Sequence, residues 1–299
     1  MRVGMVLRME GPSDPRWDVA NQALDRSGAG SGELIIVRDG LSLLARRNDV
    51  VVRVRPRSEE PVAAREVAVA LALTDAAVPV TALVDPGEQP WILGASVVTA
   101  WSWSASIGPA GPAELGTLAR MLAEQTGGGP AYEVPRFDPL TAIRRTVEHL
   151  PVGDDQADAI RFLAHGLGPA WAAAADSDPA GVTIVHGDLH RDNVVVTASG
   201  PLLTDLELAG SGPPSYDTAP VVVAVRRYGA DPSTLVPFLD ALGRDPRDWD
   251  GFAACVAVYE LWATAWAVGV RHQSPELATE AARRVASLVA DNDEPWHLH

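Results

Sequence analysis

The chain contains no lysine, so all 24 of its basic residues are arginine. Any phosphate contact that needs a cation must therefore use a guanidinium. A single cysteine, Cys255, excludes an internal disulfide and any multi-cysteine metal site. No uninterrupted apolar run reaches the roughly 18 residues of a membrane span. The longest candidate, 253–270, is broken by Glu260, and its Trp262 and Trp266, four apart, suit a buried helix. The first residues lack the basic-then-apolar-then-small pattern of a signal peptide, so the expected setting is the cytoplasm, with no membrane partner. Net positive charge is lacking too. At −15 the chain is a poor match for nucleic acid. Residues 1–104 carry a net −2 and residues 105–299 a net −13. That acidic second half suits a cationic small molecule, and equally an ordinary acidic surface.

Against these absences stands a hydrophobic content of 47% with 21% charged residues, enough for one large domain or two small ones with a good core. Residues 15–25 have the pattern of a short helix, and a Gly/Ser breaker follows at 27–31. Three strands are expected at 33–38, 41–46 and 50–55, joined by Asp39-Gly40 and Asn48-Asp49 turns into an antiparallel meander. An Ala-rich helix at 61–73 follows, then strands at 78–84 and 91–101. Ser102–Pro112 reads as a linker. Helices are expected at 113–125, ended by the run Gly127-Gly128-Gly129, and at 139–150, 155–167 and 170–175. Further helices are expected near 216–228, 233–242, 249–270 and 275–290. The class is α+β: a β-rich first domain, 1–102, and a mostly helical second, 103–299.

Chemistry concentrates in Val185-His186-Gly187-Asp188-Leu189-His190-Arg191-Asp192-Asn193 and in Leu203-Thr204-Asp205-Leu206-Glu207. Apolar runs flank both stretches, so short strands carry polar groups at their ends. Asn193 and Asp205 fit the sparse oxygen ligand set that magnesium takes from proteins. Asp188 is placed to orient an attacking hydroxyl and accept its proton. His186 fits a loop residue bonded to nearby backbone. A zinc site of His186, Asp188 and His190 has no second cluster to complete it.

These two segments resemble the catalytic loop and metal-binding segment of the aminoglycoside phosphotransferase and choline kinase-like superfamily, over roughly residues 30–290. The resemblance implies a protein-kinase-like two-lobe fold, with a small antiparallel N-terminal lobe bearing one main helix and a larger helical C-terminal lobe. It implies ATP or GTP as co-substrate with Mg2+, Asp188 as base, and Asn193 and Asp205 as metal ligands. Glu207 falls in the variable place after the metal-binding aspartate, where it braces the loop or tunes the metal or a substrate amine. Asp217 matches the buried aspartate that receives amides of the catalytic loop, or else is a plain helix N-cap. The strand-three cation that pairs with a helix glutamate and holds phosphates is Arg53, with Glu66 as partner. Arg55 lies on the same strand face and stays open for the same role. The covering loop carries one glycine, Gly40, with Ser42 as its phosphate-facing residue. Backbone near Val98 and Ala100 would read the nucleobase. The expected acceptor is a hydroxyl on a cationic small molecule, an aminoglycoside-like antibiotic or a metabolite such as choline, an amino alcohol or a sugar. A kinase-shaped protein without turnover is the reading from another class.

Overall fold

The computed structural model describes residues 14–127 and 133–297. The chain divides into two compact units. The first holds the described residues up to Ala110 together with Arg191–Ala209, and the second holds most of the remainder.

In the first unit, helix α1 (Pro15–Arg26) starts at Asp14, whose carboxylate accepts the Arg16 amide at 2.8 Å, with proline in the first turn. Strands β1 (Ile35–Asp39), β2 (Leu43–Arg47) and β3 (Val50–Pro56) form the expected meander. Arg47 pairs with Val50 across a tight turn in which Asn48 takes φ 51°. Helix α2 (Glu60–Asp75) follows, then β4 (Trp91–Leu93) and β5 (Ser96–Ser102). The sheet order is β1-β2-β3-β5-β4, antiparallel throughout. Leu43, Ala45, Val52, Val54, Val98 and Ala100 join Ala20, Ala23 and Leu24 of α1 in one buried cluster. By strand alternation Arg53 and Arg55 point to the opposite face, toward Glu66 of α2.

Two expectations need correction here. Residues 78–84 are not a strand. The Thr81 amide bonds Leu203 and the Leu203 amide bonds Pro79, after which the partner changes: the Val84 amide bonds Ala100 and the Ser102 amide bonds Ala82. Neither neighbour is kept long enough for a ladder, and Pro79 has no amide to give. The stretch 91–101, expected as one strand, is a hairpin that turns at Gly94, where φ is 62°.

The boundary between units also differs from the expected split at residue 102. Strands β6 (Thr183–Val185), β7 (Val194–Thr197), β8 (Gly200–Leu203) and β9 (Gly210–Gly212) form two ribbons, β6 with β9 and β7 with β8. The β7–β8 hairpin belongs to the first unit, because Leu203 bonds to residues 79 and 81 and Val196 accepts the Ile107 amide.

The second unit is built on helices α3 (Pro112–Thr126), α4 (Pro139–Thr146), α5 (Asp155–Ser177), α6 (Ala219–Tyr228), α7 (Leu235–Leu242), α8 (Phe252–Val270) and α9 (Pro275–Val289). Gly127 caps α3, and the rest of the glycine run lies outside the described residues. The two helices expected at 155–167 and 170–175 are one, α5, with Pro169 inside it. One proline amide is lost there, but burial of Ile160, Ala164, Trp171 and Ala174 on both sides of it keeps the helix continuous. The α8 region is long and apolar enough to cross a membrane, yet 67% of its most apolar stretch is buried within the protein. Its Glu260 pairs with Arg227 at 2.6 Å.

Candidate active site

Strand β6 delivers the chain to His186, and Gly187 then takes φ 82°, where glycine carries no steric cost. The amides of His186 and Gly187 donate to Asp217 Oδ2 and Oδ1, at 2.8 and 2.9 Å. Asp217 is therefore the brace of this loop. The N-cap of α6 is its neighbour Thr218. Burial raises the Asp217 carboxyl above its ordinary range, against the pull of His186 and the two amides. His186 is buried, and its Nδ1 accepts the Asp188 amide at 3.3 Å, the backbone-bonding role expected of it.

Asp188 stands next on this pinned loop. Its Oδ1 accepts the Tyr259 hydroxyl at 2.9 Å, and its Oδ2 faces His190 Nε2 at 3.4 Å. Burial works to raise the Asp188 carboxyl, but His190, His186 and the Tyr259 hydroxyl outweigh it and hold it below the usual carboxylate range. The group is ionised at neutral pH and oriented on both oxygens, as a proton acceptor for a hydroxyl must be. Tyr259 was missed by sequence reasoning. It lies 71 residues beyond Asp188, and its one trace was the polar pair Tyr259-Glu260 inside an apolar run.

The rest of the motif lies in the first unit. A short turn, Arg191–Asn193, leads into β7, and β8 returns antiparallel with Val194 opposite Leu203. That register sets Asn193 across from Thr204, whose amide bonds the Asn193 carbonyl at 3.0 Å. The hairpin thus brings Asn193 and Asp205 together despite their distance in sequence. Asp205 has φ 61°, a backbone region uncommon for side-chain-bearing residues but one that aspartate tolerates better than most.

Around Asp205 lies a charge cluster drawn from β3, α2 and the segment after β8. Arg53 Nη1 reaches Asp205 Oδ1 at 2.6 Å and Glu66 Oε1 at 3.0 Å. Arg55 grips both oxygens of Glu66, at 2.7 and 2.9 Å, and reaches Glu207 at 3.3 Å. Burial raises the Asp205 carboxyl, but Arg53, with help from Arg38 and Arg55, holds it far below its usual range. Glu207 is pushed up to about 7 by burial and by Asp205, against the pull of both arginines. Asn193 and Asp205 offer hard oxygen donors in small number, which suits a magnesium ion that draws its other ligands from phosphate and water. Glu66, Asp205 and Glu207 also present carboxylate oxygens within 4.8 Å of one another, with Glu66 held by the two arginines.

The remaining candidates lie in the same unit, with Val98 and Ala100 flanking Thr99, the residue paired with Arg53. Ser42 ends the loop between β1 and β2, where Arg16 ties Gly40 and Asp39 to Asp14. Val98 and Ala100 sit in β5 between β3 and β4. The Ala100 amide bonds the Gln89 side chain and its carbonyl accepts Val84, so its backbone is already engaged. No side-chain hydrogen bond or ion pair joins Ser42, Val98 or Ala100 to the charge cluster among the described residues.

A family model described as the phosphotransferase enzyme family matches residues 41–255. The chain belongs to that family. The phosphotransferase is thus a small-molecule kinase of the aminoglycoside phosphotransferase and choline kinase-like superfamily, with a protein-kinase-like fold. No curated protein sequence matches it. Solved structures with a similar fold include a microcompartment-associated aminopropanol kinase, at 18% identity and TM-score 0.69, covering 92% of this chain and 95% of that one. An amicoumacin kinase in complex with AMP-PNP, Ca2+ and Ami shares 12% identity at TM-score 0.67, covering 95% and 98%. An aminoglycoside phosphotransferase from Streptomyces rimosus shares 17% identity at TM-score 0.60, covering 82% and 98%.

Proposed function

We propose that this phosphotransferase moves the γ-phosphate of ATP or GTP to a hydroxyl of a cationic small molecule in the cytoplasm, in the first instance an aminoglycoside-like antibiotic. The observation that carries the reading is Asp188, ionised and oriented by Tyr259 and His190 on a loop braced by Asp217. Asp188 accepts the proton of the substrate hydroxyl as its oxygen attacks the γ-phosphorus in line. Asn193 and Asp205 would hold a magnesium ion, which when bound would supply charge neutralisation on the phosphates. Arg53 is the nearest strand-three cation to that carboxylate. The net −13 of residues 105–299 favours an acceptor bearing amines. Amicoumacin, aminoglycoside and aminopropanol kinases share the fold, so amino alcohols form the second arm of the same reading.

The test is a coupled kinase assay over aminoglycosides, other basic antibiotics and small amino alcohols, with ATP and GTP in parallel. Turnover of an antibiotic, with resistance on heterologous expression, supports the first arm. Turnover of an amino alcohol alone replaces it with the second. Asp188→Asn should cost about 10²- to 10⁴-fold in kcat, the usual range for a lost general base. Unchanged turnover in that variant would remove Asp188 from the reaction.

A further inference from the structure

Two arginines share one glutamate in the first unit, and their surroundings differ. Side-chain exposure rises in order through the cluster: Arg55 1%, Glu66 2%, Arg53 10%, Asp205 20% and Glu207 43%. The cluster is closed at the Arg55–Glu66 end and open at the Asp205–Glu207 end. Arg55 spends its fork on both oxygens of Glu66 and adds Glu59 at 3.5 Å and Glu207 at 3.3 Å. To meet a phosphate it would have to break two charge-assisted bonds in the most buried part of the cluster. Arg53 also makes two charge-assisted bonds, to Glu66 Oε1 at 3.0 Å and Asp205 Oδ1 at 2.6 Å, with Glu207 at 3.7 Å, but two of these three partners lie at the open end of the cluster, where a phosphate can take their place.

From this gradient we infer that the two arginines divide a task given to one cation in the resembled family. Arg55 is the positioning residue that anchors Glu66, and Arg53 is the mobile cation that meets the nucleotide phosphates and otherwise covers Asp205. The inference rests on the kinase reading above. It carries a consequence for the metal. Arg53 and a divalent ion compete for the Asp205 carboxylate, so metal alone binds poorly until phosphates draw the guanidinium away. Nucleotide and metal then assist each other's binding, a reciprocal coupling.

The experiment compares Arg53→Met and Arg55→Met with the unaltered enzyme in three measurements: calorimetric binding of ADP in chelator, binding of Mn2+ alone by electron paramagnetic resonance, and thermal unfolding. Arg53→Met should weaken ADP about tenfold, the scale of a charge-assisted contact, and tighten Mn2+ several-fold. Arg55→Met should lower the unfolding temperature and change either affinity by less than about threefold, since its loss strands a buried glutamate. A purely structural role for both would not move ADP and Mn2+ in opposite directions. Where Arg55→Met fails to fold, Arg55→Lys keeps the charge but not the fork, and the same three measurements apply to it. Equal ADP losses at both positions, or Mn2+ affinity unchanged in Arg53→Met, would overturn the division. An unaltered enzyme that binds no ADP or ATP at all, with or without metal, would instead overturn the kinase reading.

Discussion

The Tyr259 hydroxyl donates to Asp188 Oδ1 at 2.9 Å, which ties the middle of α8 to the loop that carries the proposed base. Phenylalanine keeps the ring and removes only this donor. Tyr259→Phe should lower kcat about tenfold, the scale of one hydrogen bond to a charged group, and leave the acceptor KM within about twofold. Its pH profile should move as well. As the proposed base Asp188 must be ionised, and the tyrosine is one of the groups holding its carboxyl down. Without that donor the acid limb of kcat shifts to higher pH. The other groups facing Asp188, namely His190, His186, Asp217, Tyr216 and Tyr228, are unchanged in the variant. An acid limb and kcat both equal to the parent's would show that Tyr259 only packs.

Asp217 gives a prediction of the opposite kind, in which stability and activity fall together. Asp217→Ala leaves the buried amides of His186 and Gly187 without their acceptors. Two stranded donors cost about 2–5 kcal/mol together. Asp217→Asn keeps one oxygen and should fall between. Urea unfolding of both variants beside kcat separates the outcomes. A stable Asp217→Ala variant with full kcat would mean the loop holds its shape unaided.

How much of this was legible in advance depended on whether the deciding contacts were local. The β1–β3 meander was readable because Asn48-Asp49 is a turn signal whatever surrounds it. The β7–β8 hairpin was partly readable, as apolar runs with polar residues at their ends, and its register sets Val194 opposite Leu203. The stretch 78–84 was misread as a strand because its hydrogen-bond partner changes midway from residue 203 to residues 100 and 102, which no local pattern records. Arg53 and Arg55 share one strand face and both bond Glu66, and what separates them is the 2.6 Å bond of Arg53 to Asp205 and the deeper burial of Arg55, neither of which a local pattern records. Tyr259 was hidden for a related reason. An aromatic residue on an apolar helix is core by default, and its hydroxyl finds Asp188 only through tertiary packing.

The tail after α9 is a third place where a local reading had little to offer. Trp296 is 2% exposed, with the Arg227 and Arg284 guanidinium groups 4.8 and 5.2 Å from its ring centre and Tyr228 edge-on at 5.8 Å. Its indole N–H donates to Ser287 Oγ, and its backbone amide donates to Arg227. Arg227 in turn holds Glu260, the neighbour of Tyr259 on α8. Trp296→Ala should cost about 3–5 kcal/mol, the range for deleting a buried tryptophan. Removing residues 292–299 should cost at least as much. A loss below about 1 kcal/mol in denaturant unfolding would show that the tail is an ornament on the surface.

Asp154 provides the test of charge within the helical unit. Its side chain caps α5 by accepting the Ala157 amide at 3.0 Å and pairs with Arg271 of the turn after α8. The Arg271 hydrogen bonds, ahead of the opposing effect of burial, hold its carboxyl below the ordinary value. A carboxylate depressed in the folded state adds stability that is present above its unfolded value of about 3.9 and is lost as pH falls through the folded one. Asp154→Asn keeps a capping oxygen and removes the charge. The stability gap between parent and variant should therefore be widest at pH 6–7, about 1–2 kcal/mol for a half-buried pair, and should narrow once pH falls below the unfolded value of about 3.9. Urea unfolding at pH 7, 5, 4 and 3.5 measures it. A gap that stays constant across that range would mean that Asp154 contributes as a cap alone and that Arg271 adds nothing to the fold.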